Sequence, residues 1–163
     1  MSHGVGRVIV GVHGSPGSLQ ALRFAVETAR RFDVMLHPVI AWQAPGGDSA
    51  HRYYPAYLVN EWELDAESRL VTAFDEGLGG VPMDLRVQPF IVRGRVGPTL
   101  VEIADREDDL LVVGRSHRAW WHRALYGSPT RHALAHARCS VICVPPSRLV
   151  AELRGQFTRP RSV

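Results

Sequence analysis

The residues best suited to chemistry stand just before a short predicted helix near the end of the chain. Gly127-Ser128-Pro129-Thr130 open this helix, with Ser128 suited to the N-cap and Pro129 to the first helical position. The apolar run Leu110–Val113, which Gly114 ends, predicts a strand buried on both faces. A helix that begins beside the carboxyl end of a parallel strand directs its free N–H groups and the positive end of its dipole at the space beyond that strand end. The predicted chemistry is therefore the binding of an anion.

Other polar groupings are weaker candidates. His132 and His136 have the i, i+4 spacing of metal ligands, but no third ligand accompanies them, and we interpret them as partly solvated histidines near a helix end. The acidic run from Asp105 to Asp109 enters a strand at its amino end, away from the anion site, and is interpreted as a solvated connection. Because the motifs of P-loop enzymes, serine hydrolases, zinc proteases and dinucleotide enzymes are absent, we predict no catalytic residue and no metal site.

Composition indicates an ordinary globular chain. Its 163 residues suffice for one domain with a core, and 45% are hydrophobic and 21% charged. No apolar run approaches the length of a membrane span and the first residues lack a secretory pattern, so we expect a cytoplasmic protein with no membrane partner. Every basic residue is arginine, yet the net charge is only +3, which is too low to predict binding to nucleic acid.

The two cysteines are expected to be reduced and buried. Cys139 and Cys143 lie four residues apart at the last predicted strand, roughly 13 Å in extended chain, which exceeds the reach of a disulfide.

Apolar periodicity predicts alternating strands and helices. Such alternation is typical of an α/β fold with a doubly wound parallel sheet and helices on both faces. Pro38 cannot donate to a ladder, so the second strand should have an exposed edge or a bulge there. In the second helix, Trp62, Val71 and Phe74 are expected to point inward. The predicted strands are 7–12, 34–42, 85–92, 110–113 and 141–144, and the predicted helices are 19–32 with Ser18 as cap, 56–78, 96–105 and 129 to about 137.

The spacing around the anion site resembles a known signature. Universal stress proteins carry G-x2-G-x9-G-[ST] between the fourth strand and helix, and here Gly114 and Gly127-Ser128 match, while His117 replaces the middle glycine. The opening VIVGVHGS, the second strand LHPVIAW and the closing SVICVPP extend the resemblance over about residues 6–146. It implies the strand order 3-2-1-4-5, one universal stress protein domain over 1–146 and a basic tail over 147–163.

The resemblance also implies a nucleotide site between strands 1 and 4. His13 stands where ATP-binding members usually have Asp, and Trp120 and Trp121 make the loop after strand 4 bulky, which we interpret as a lid packed on the domain or on a partner. In the family's pattern Val12 and His13 lie beside the adenosine, Ala41 faces the base, Gly114 and Arg115 line the ribose and phosphate path, and Gly127 admits the phosphates to the backbone. The implied binding residues are Val12, His13, Ala41, Gly114, Arg115, His117, Gly127, Ser128, Pro129 and Thr130.

The function implied is that of a stress-response regulatory protein that binds ATP, with Mg²⁺ only as the companion of the nucleotide and at most slow hydrolysis. A homodimer through the last strand is expected, formed by Val141, Ile142, Cys143 and Val144. The alternative for that edge is cover by the tail from Leu149 onward. The alternative function is a family member without nucleotide binding that acts through protein contacts. His13, His117 and the two tryptophans of the loop favour it. An enzyme of the wider adenine-nucleotide α-hydrolase fold is disfavoured because its characteristic loops are missing.

Overall fold

The five strands form one parallel sheet. The computed structural model of the protein describes residues 4–47, 49–115 and 128–147. The strands lie in the order β3-β2-β1-β4-β5, which confirms the predicted fold class and strand order. The elements are β1 (Arg7–Gly11), α1 (Pro16–Phe32), β2 (Met35–Trp42), a 3-10 helix (Ala50–Tyr53), α2 (Ala56–Leu78), β3 (Phe90–Arg93), α3 (Val96–Ile103), β4 (Asp109–Gly114), α4 (Pro129–His136) and β5 (Ser140–Val144).

Hydrophobic side chains fill both faces of the sheet. On the first face α1 and α2 cover side chains such as Val8 and Val10, and on the second face α3 and α4 cover Ile9 and Leu111. This alternation follows from the two-residue period of a strand. β4 is buried on both faces as its apolar run predicts. No helix within the described residues combines the length and the apolar character that a membrane crossing requires.

The first helix begins earlier than its sequence predicts. α1 starts at Pro16, and Ser15 is its N-cap, because the Ser15 hydroxyl accepts a hydrogen bond from the Ser18 N–H at 3.2 Å. Ser18, the predicted cap, is buried inside the helix, where its hydroxyl accepts the His13 N–H at 2.9 Å. The local sequence allows either serine to be the N-cap. The hydrogen bond from the His13 N–H, just after β1, engages the Ser18 hydroxyl and leaves Ser15 as the cap.

Pro38 lies in a central strand at an interruption of the ladder. β2 and β3 are joined by an isolated bridge between Leu36 and Val87, and the regular ladder resumes only at Val39 and Phe90. Pro38 is fully buried, so the expected irregularity is present but the edge is not exposed. The predicted third strand is correspondingly too long at its start, because β3 begins at Phe90.

The other helices differ from prediction in detail. α2 has its predicted bounds, and Gly79, in the left-handed region, is its C-cap. Val71 is 55% exposed, so it does not point inward as expected. α3 ends at Ile103, two residues early, and the Ala104 N–H closes its last turn on the Leu100 carbonyl. The inner face of α2 instead combines the large residues Leu70 and Phe74 with Ala66, Ala73 and Gly77.

Both thiols are free, as predicted, but only one is sheltered. Cys139 is half-buried, and burial raises the pKa of its thiol. Cys143 is exposed on β5, so the expectation that it is buried is wrong. β5 has a neighbouring strand on one side only within the described residues, which leaves its side chains less covered than those of β4.

The amino edge of the sheet contains a buried ion pair. Arg7 donates to the two carboxylate oxygens of Asp109 at 2.7 and 2.6 Å and to Asp105 at 2.8 Å. The side chain of Asp109 is inaccessible to solvent, so the prediction of a solvated acidic connection is wrong for this residue. The hydrogen bond from Arg7 lowers the pKa of Asp105. This pair joins the first residues of β1 and β4 at the edge opposite the predicted site.

Candidate functional site

The predicted crevice lies at the carboxyl edge of the sheet, where the chain leaves β1 and β4 toward opposite faces. Here a small cavity of about 40 Å³ separates the end of β1 from the start of α4. Such a switch point is the usual ligand position in an open parallel sheet. The cavity is lined by Gly11, His13, Val96, Leu100, Val113, Gly114, Ser128, Pro129 and Thr130.

A larger cavity continues from the first one between the starts of α3 and α4. Its volume is about 240 Å³, just under the roughly 300 Å³ at which small-molecule pockets usually begin. Val96, Ser128 and Pro129 line both cavities, so we treat the two as one space, the α3–α4 crevice. The lining of the larger cavity consists of Gln43, Arg95, Val96, Gly97, Pro98, Ser128, Pro129 and His132.

Two glycines bring the backbone of α1 against the end of β4. A Cβ atom at Gly17 would overlap the carbonyl oxygen of Arg115, and a Cβ atom at Gly114 would overlap the carbonyl oxygen of Gly17. A backbone atom cannot move aside as a flexible side chain can. Gly114 is therefore required by packing, whatever it contributes to a ligand.

The start of α4 provides hydroxyl and N–H groups. Ser128 occupies the N-cap position and Pro129 the first helical position, as predicted, but the Ser128 hydroxyl makes no capping hydrogen bond. The Thr130 hydroxyl donates to the Gly114 carbonyl at 3.3 Å, which joins α4 to the end of β4. The N–H groups of Thr130 and Arg131 belong to the first turn, which has no acceptor within the helix.

Two predicted binding residues follow β1, and their side chains lie in different environments. His13 is exposed and lines the small cavity, and its ring Nε2 lies 3.4 Å from the Ser15 hydroxyl. The side chain of Val12 is buried in the core of the α1 face, and its N–H donates to the Val39 carbonyl at 2.9 Å. Val12 therefore lines neither cavity of the crevice.

Five of the ten predicted residues line the crevice: His13, Gly114, Ser128, Pro129 and Thr130. Ala41 is half-buried opposite Val92, and Arg115 is exposed with its N–H bonded to the Val144 carbonyl, and neither residue lines either cavity. His117 and Gly127 lie outside the described residues, as do Trp120 and Trp121.

Comparison with known proteins identifies the family. The sequence model of the universal stress protein family matches residues 4–145. The chain belongs to the universal stress protein family.

Solved universal stress proteins have the same fold. A universal stress protein in complex with cAMP is 25% identical, with 88% of this chain and 99% of that chain covered and a TM-score of 0.57. A universal stress protein from Archaeoglobus fulgidus in complex with dAMP is 22% identical, with 85% and 97% covered and a TM-score of 0.55. A family protein from Arabidopsis thaliana with AMP bound is 16% identical, with 89% and 94% covered and a TM-score of 0.55.

Three polar lining residues of this universal stress protein, Gln43, Arg95 and His132, lie outside the predicted set. Gln43 and Arg95 have no predicted role, and His132 is predicted only as a partly solvated residue near a helix end. The signal that could have found Arg95 is its position directly before α3, which also begins at the carboxyl edge. Only the pairing of α3 with α4 brings His132 to the same space.

The two histidines of α4 stack on each other. The rings of His132 and His136 lie 4.2 Å apart with 17° between their planes. Among the residues that the structure describes, no three His, Cys, Asp or Glu side chains are grouped to hold a metal ion. Desolvation, followed by the charges of His136 and Arg95, lowers the pKa of His132.

Proposed function

We propose that this universal stress protein binds an adenine nucleotide in the α3–α4 crevice. The observation that carries the proposal is the juxtaposition of His13 and Gly114 with the hydroxyl groups of Ser128 and Thr130 around one open space. Relatives of the same fold hold cAMP, dAMP and AMP, which supports an adenine nucleotide as the ligand class. We propose ATP, accompanied by Mg²⁺, as one member of that class.

The start of α4 is the proposed phosphate end of the site. The hydroxyl group of Ser128 makes no capping hydrogen bond and the first-turn N–H groups have no acceptor within the helix, so these groups can donate to a phosphate. Gly127, directly before this turn, would admit a phosphate to the backbone, as the family signature implies. His13 replaces the usual Asp, so it would meet the sugar with an imidazole nitrogen where relatives use a carboxylate.

We also propose that the protein is a homodimer through the open edge of β5 and that nucleotide binding changes this assembly. An apolar groove of about 450 Å³ runs between α1 and β5. Phe24 and Phe32 line it at 36% and 49% exposure, together with Ile142 of β5. Exposed aromatic surface beside an unpaired strand edge favours association with a second copy.

Calorimetric titration of ATP with Mg²⁺ tests the nucleotide site. We expect micromolar binding by the wild type and at least a tenfold loss, about 1.4 kcal/mol, in a double variant Ser128→Ala, Thr130→Val. Thr72→Val is the matched control, because the Thr72 hydroxyl bonds only its own helix, to the Ser68 carbonyl, on α2. Gly127→Val should abolish binding.

A contrary result would favour the alternative function. If neither heat nor thermal stabilisation is seen at millimolar ATP, AMP or cAMP with folded protein, the nucleotide proposal fails. The protein would then be a family member that acts through protein contacts.

A further inference from the structure

We propose that Arg95 and His132 make the crevice select adenine nucleotides by the charge of their phosphate groups. The inference rests on the proposed function and adds to it the residues that determine specificity. They come from different helices: Arg95 is the N-cap of α3, and His132 lies one turn into α4. Both line the larger cavity.

A glycine allows the two helices to approach at this point. A Cβ atom at Gly97 would lie 2.8 Å from the Cβ atom of His132, closer than two such atoms come in real proteins. The side chain of His132 is consequently held against α3, and Arg95, which is exposed, lines the same cavity. Neither α3 nor α4 has a side-chain cap at its start, so the positive ends of both helix dipoles add to these groups.

The described lining of the crevice contains basic side chains and no acidic one. Arg95 and His132 line the larger cavity, and no Asp or Glu is among the described residues that line either cavity. The charged and titratable groups that act on His132 are His136 from its own helix and Arg95 from α3. Arg95, and His132 when it is protonated, attract a ligand more strongly as its negative charge increases.

The charge of the ligand then decides its affinity. Adenosine is neutral, cAMP carries one negative charge, and AMP carries nearly two at neutral pH, while all three share the same base. A terminal phosphate can accept a charge-assisted pair of hydrogen bonds from the guanidinium of Arg95. A cyclic phosphodiester has one charge fewer and its two free oxygens are fixed by the ring. We therefore expect AMP and ATP to bind more tightly than cAMP, and adenosine to bind weakest.

Binding of a dianion should also take up a proton at His132. In the free protein the pKa of His132 is lowered, so the ring is neutral at pH 8 and resists protonation. A phosphate dianion in the cavity favours the imidazolium and raises that pKa. Affinity for the AMP dianion, after correction for protonation of the phosphate itself near pH 6, should then increase from pH 8 to pH 6, and more steeply than affinity for adenosine.

The experiment is a calorimetric series on the full chain with adenosine, cAMP, AMP and ATP at pH 6 and pH 8. We expect AMP to bind at least about tenfold more tightly than cAMP at pH 8, where AMP is a dianion. Arg95→Gln should reduce that ratio several-fold, and His132→Gln should remove most of the difference between pH 6 and pH 8. Arg93→Gln is the matched control, because Arg93 is an exposed arginine two residues from Arg95 that does not line the crevice, and it should leave the ratio unchanged.

The outcomes separate this inference from the proposed function. If adenine nucleotides bind but with equal affinity for AMP, cAMP and adenosine, the inference is overturned while the proposed function stands. The same holds if Arg95→Gln and His132→Gln, folded as judged by circular dichroism, behave like the wild type. If no adenine compound binds at all, the proposed function fails and this inference fails with it.

Discussion

Gly17 and Gly114 touch backbone to backbone, and no side chain fits between them. A Cβ atom at Gly114 would overlap the Gly17 carbonyl oxygen and lie 2.7 Å from the Ser18 nitrogen. We expect Gly114→Ala to cost about 1–3 kcal/mol of unfolding free energy, because α1 must move away from β4. Urea denaturation measures the loss. Gly4→Ala is the control and should be close to neutral, since nothing lies within 4 Å of a Cβ atom at Gly4.

The same variant separates two roles for Gly114. The family signature ascribes this glycine to the ligand, whereas the contact with Gly17 ascribes it to packing. If Gly114→Ala is as stable as the wild type and loses only nucleotide affinity, the packing argument is wrong.

Arg7→Gln should be strongly destabilising. Asp109 is buried, and without the guanidinium its carboxylate would remain uncompensated in the interior, which typically costs about 3–5 kcal/mol. Arg30→Gln is the control, because its partner Asp84 is 60% exposed and water replaces the lost bond. Chemical denaturation of both variants at pH 7 tests the difference. Equal stability of the two variants would show that the fold does not depend on the Arg7–Asp109 pair.

Stability should decrease as the pH falls below about 6.5, in part because of His37. Burial lowers the pKa of His37, while its ring Nδ1 stays within 3.1 Å of the Gln88 carbonyl. A histidine whose pKa is lowered in the folded state contributes stability above its unfolded pKa and loses it as the pH falls toward the folded value. His37→Asn keeps a donor for Gln88 but does not titrate, so it should flatten the pH dependence of the unfolding free energy between pH 7.5 and pH 5.

The control for His37→Asn is a comparison at pH 8. Both the folded and the unfolded protein hold His37 neutral there, so the difference between variant and wild type measures only packing and hydrogen bonding. An unchanged slope between pH 7.5 and pH 5 would show that other groups account for the acid sensitivity.

Local patterns in the sequence were sufficient to predict the succession of strands and helices. The continuous apolar run of β4, the helical spacing of Leu22 and Val26 in α1 and the glycine end of α2 each specify an element without distant contacts. The strand order came from the family signature. Where two local solutions existed, as for Ser15 and Ser18 at the start of α1, a bond to another element decided, and sequence alone could not choose.

The site was predictable only in part for the same reason. Ser128 and Thr130 follow from a signature that is contiguous in the chain. Arg95 and His132 are 37 positions apart in the sequence and meet only because α3 packs on α4. The burial of Asp109 is likewise a long-range result, since its partner Arg7 lies at the other end of the domain's chain.

The hydrogen-bonding pattern of β5 shows which residues face its open edge. The Arg115 N–H donates to the Val144 carbonyl, so the backbone groups of Val144 point toward β4. Because these groups alternate in direction along a strand, those of Cys143 point away from β4, toward the edge that has no neighbour in the described part of the chain. Pairing of two β5 edges would therefore use the N–H of Cys143.

Cys143→Pro should consequently convert the proposed dimer into a monomer without unfolding it. Proline removes the outward N–H and places its ring at the edge, and an edge strand tolerates it where the lost donor does not serve the internal ladder. Cys143→Ser retains the N–H and should remain dimeric. Light scattering after size exclusion distinguishes the two masses. A dimer that survives Cys143→Pro would place the interface elsewhere, with the phenylalanine-lined groove beside α1 as the next surface to test, and a monomeric wild type would favour cover of the β5 edge by the chain's own tail.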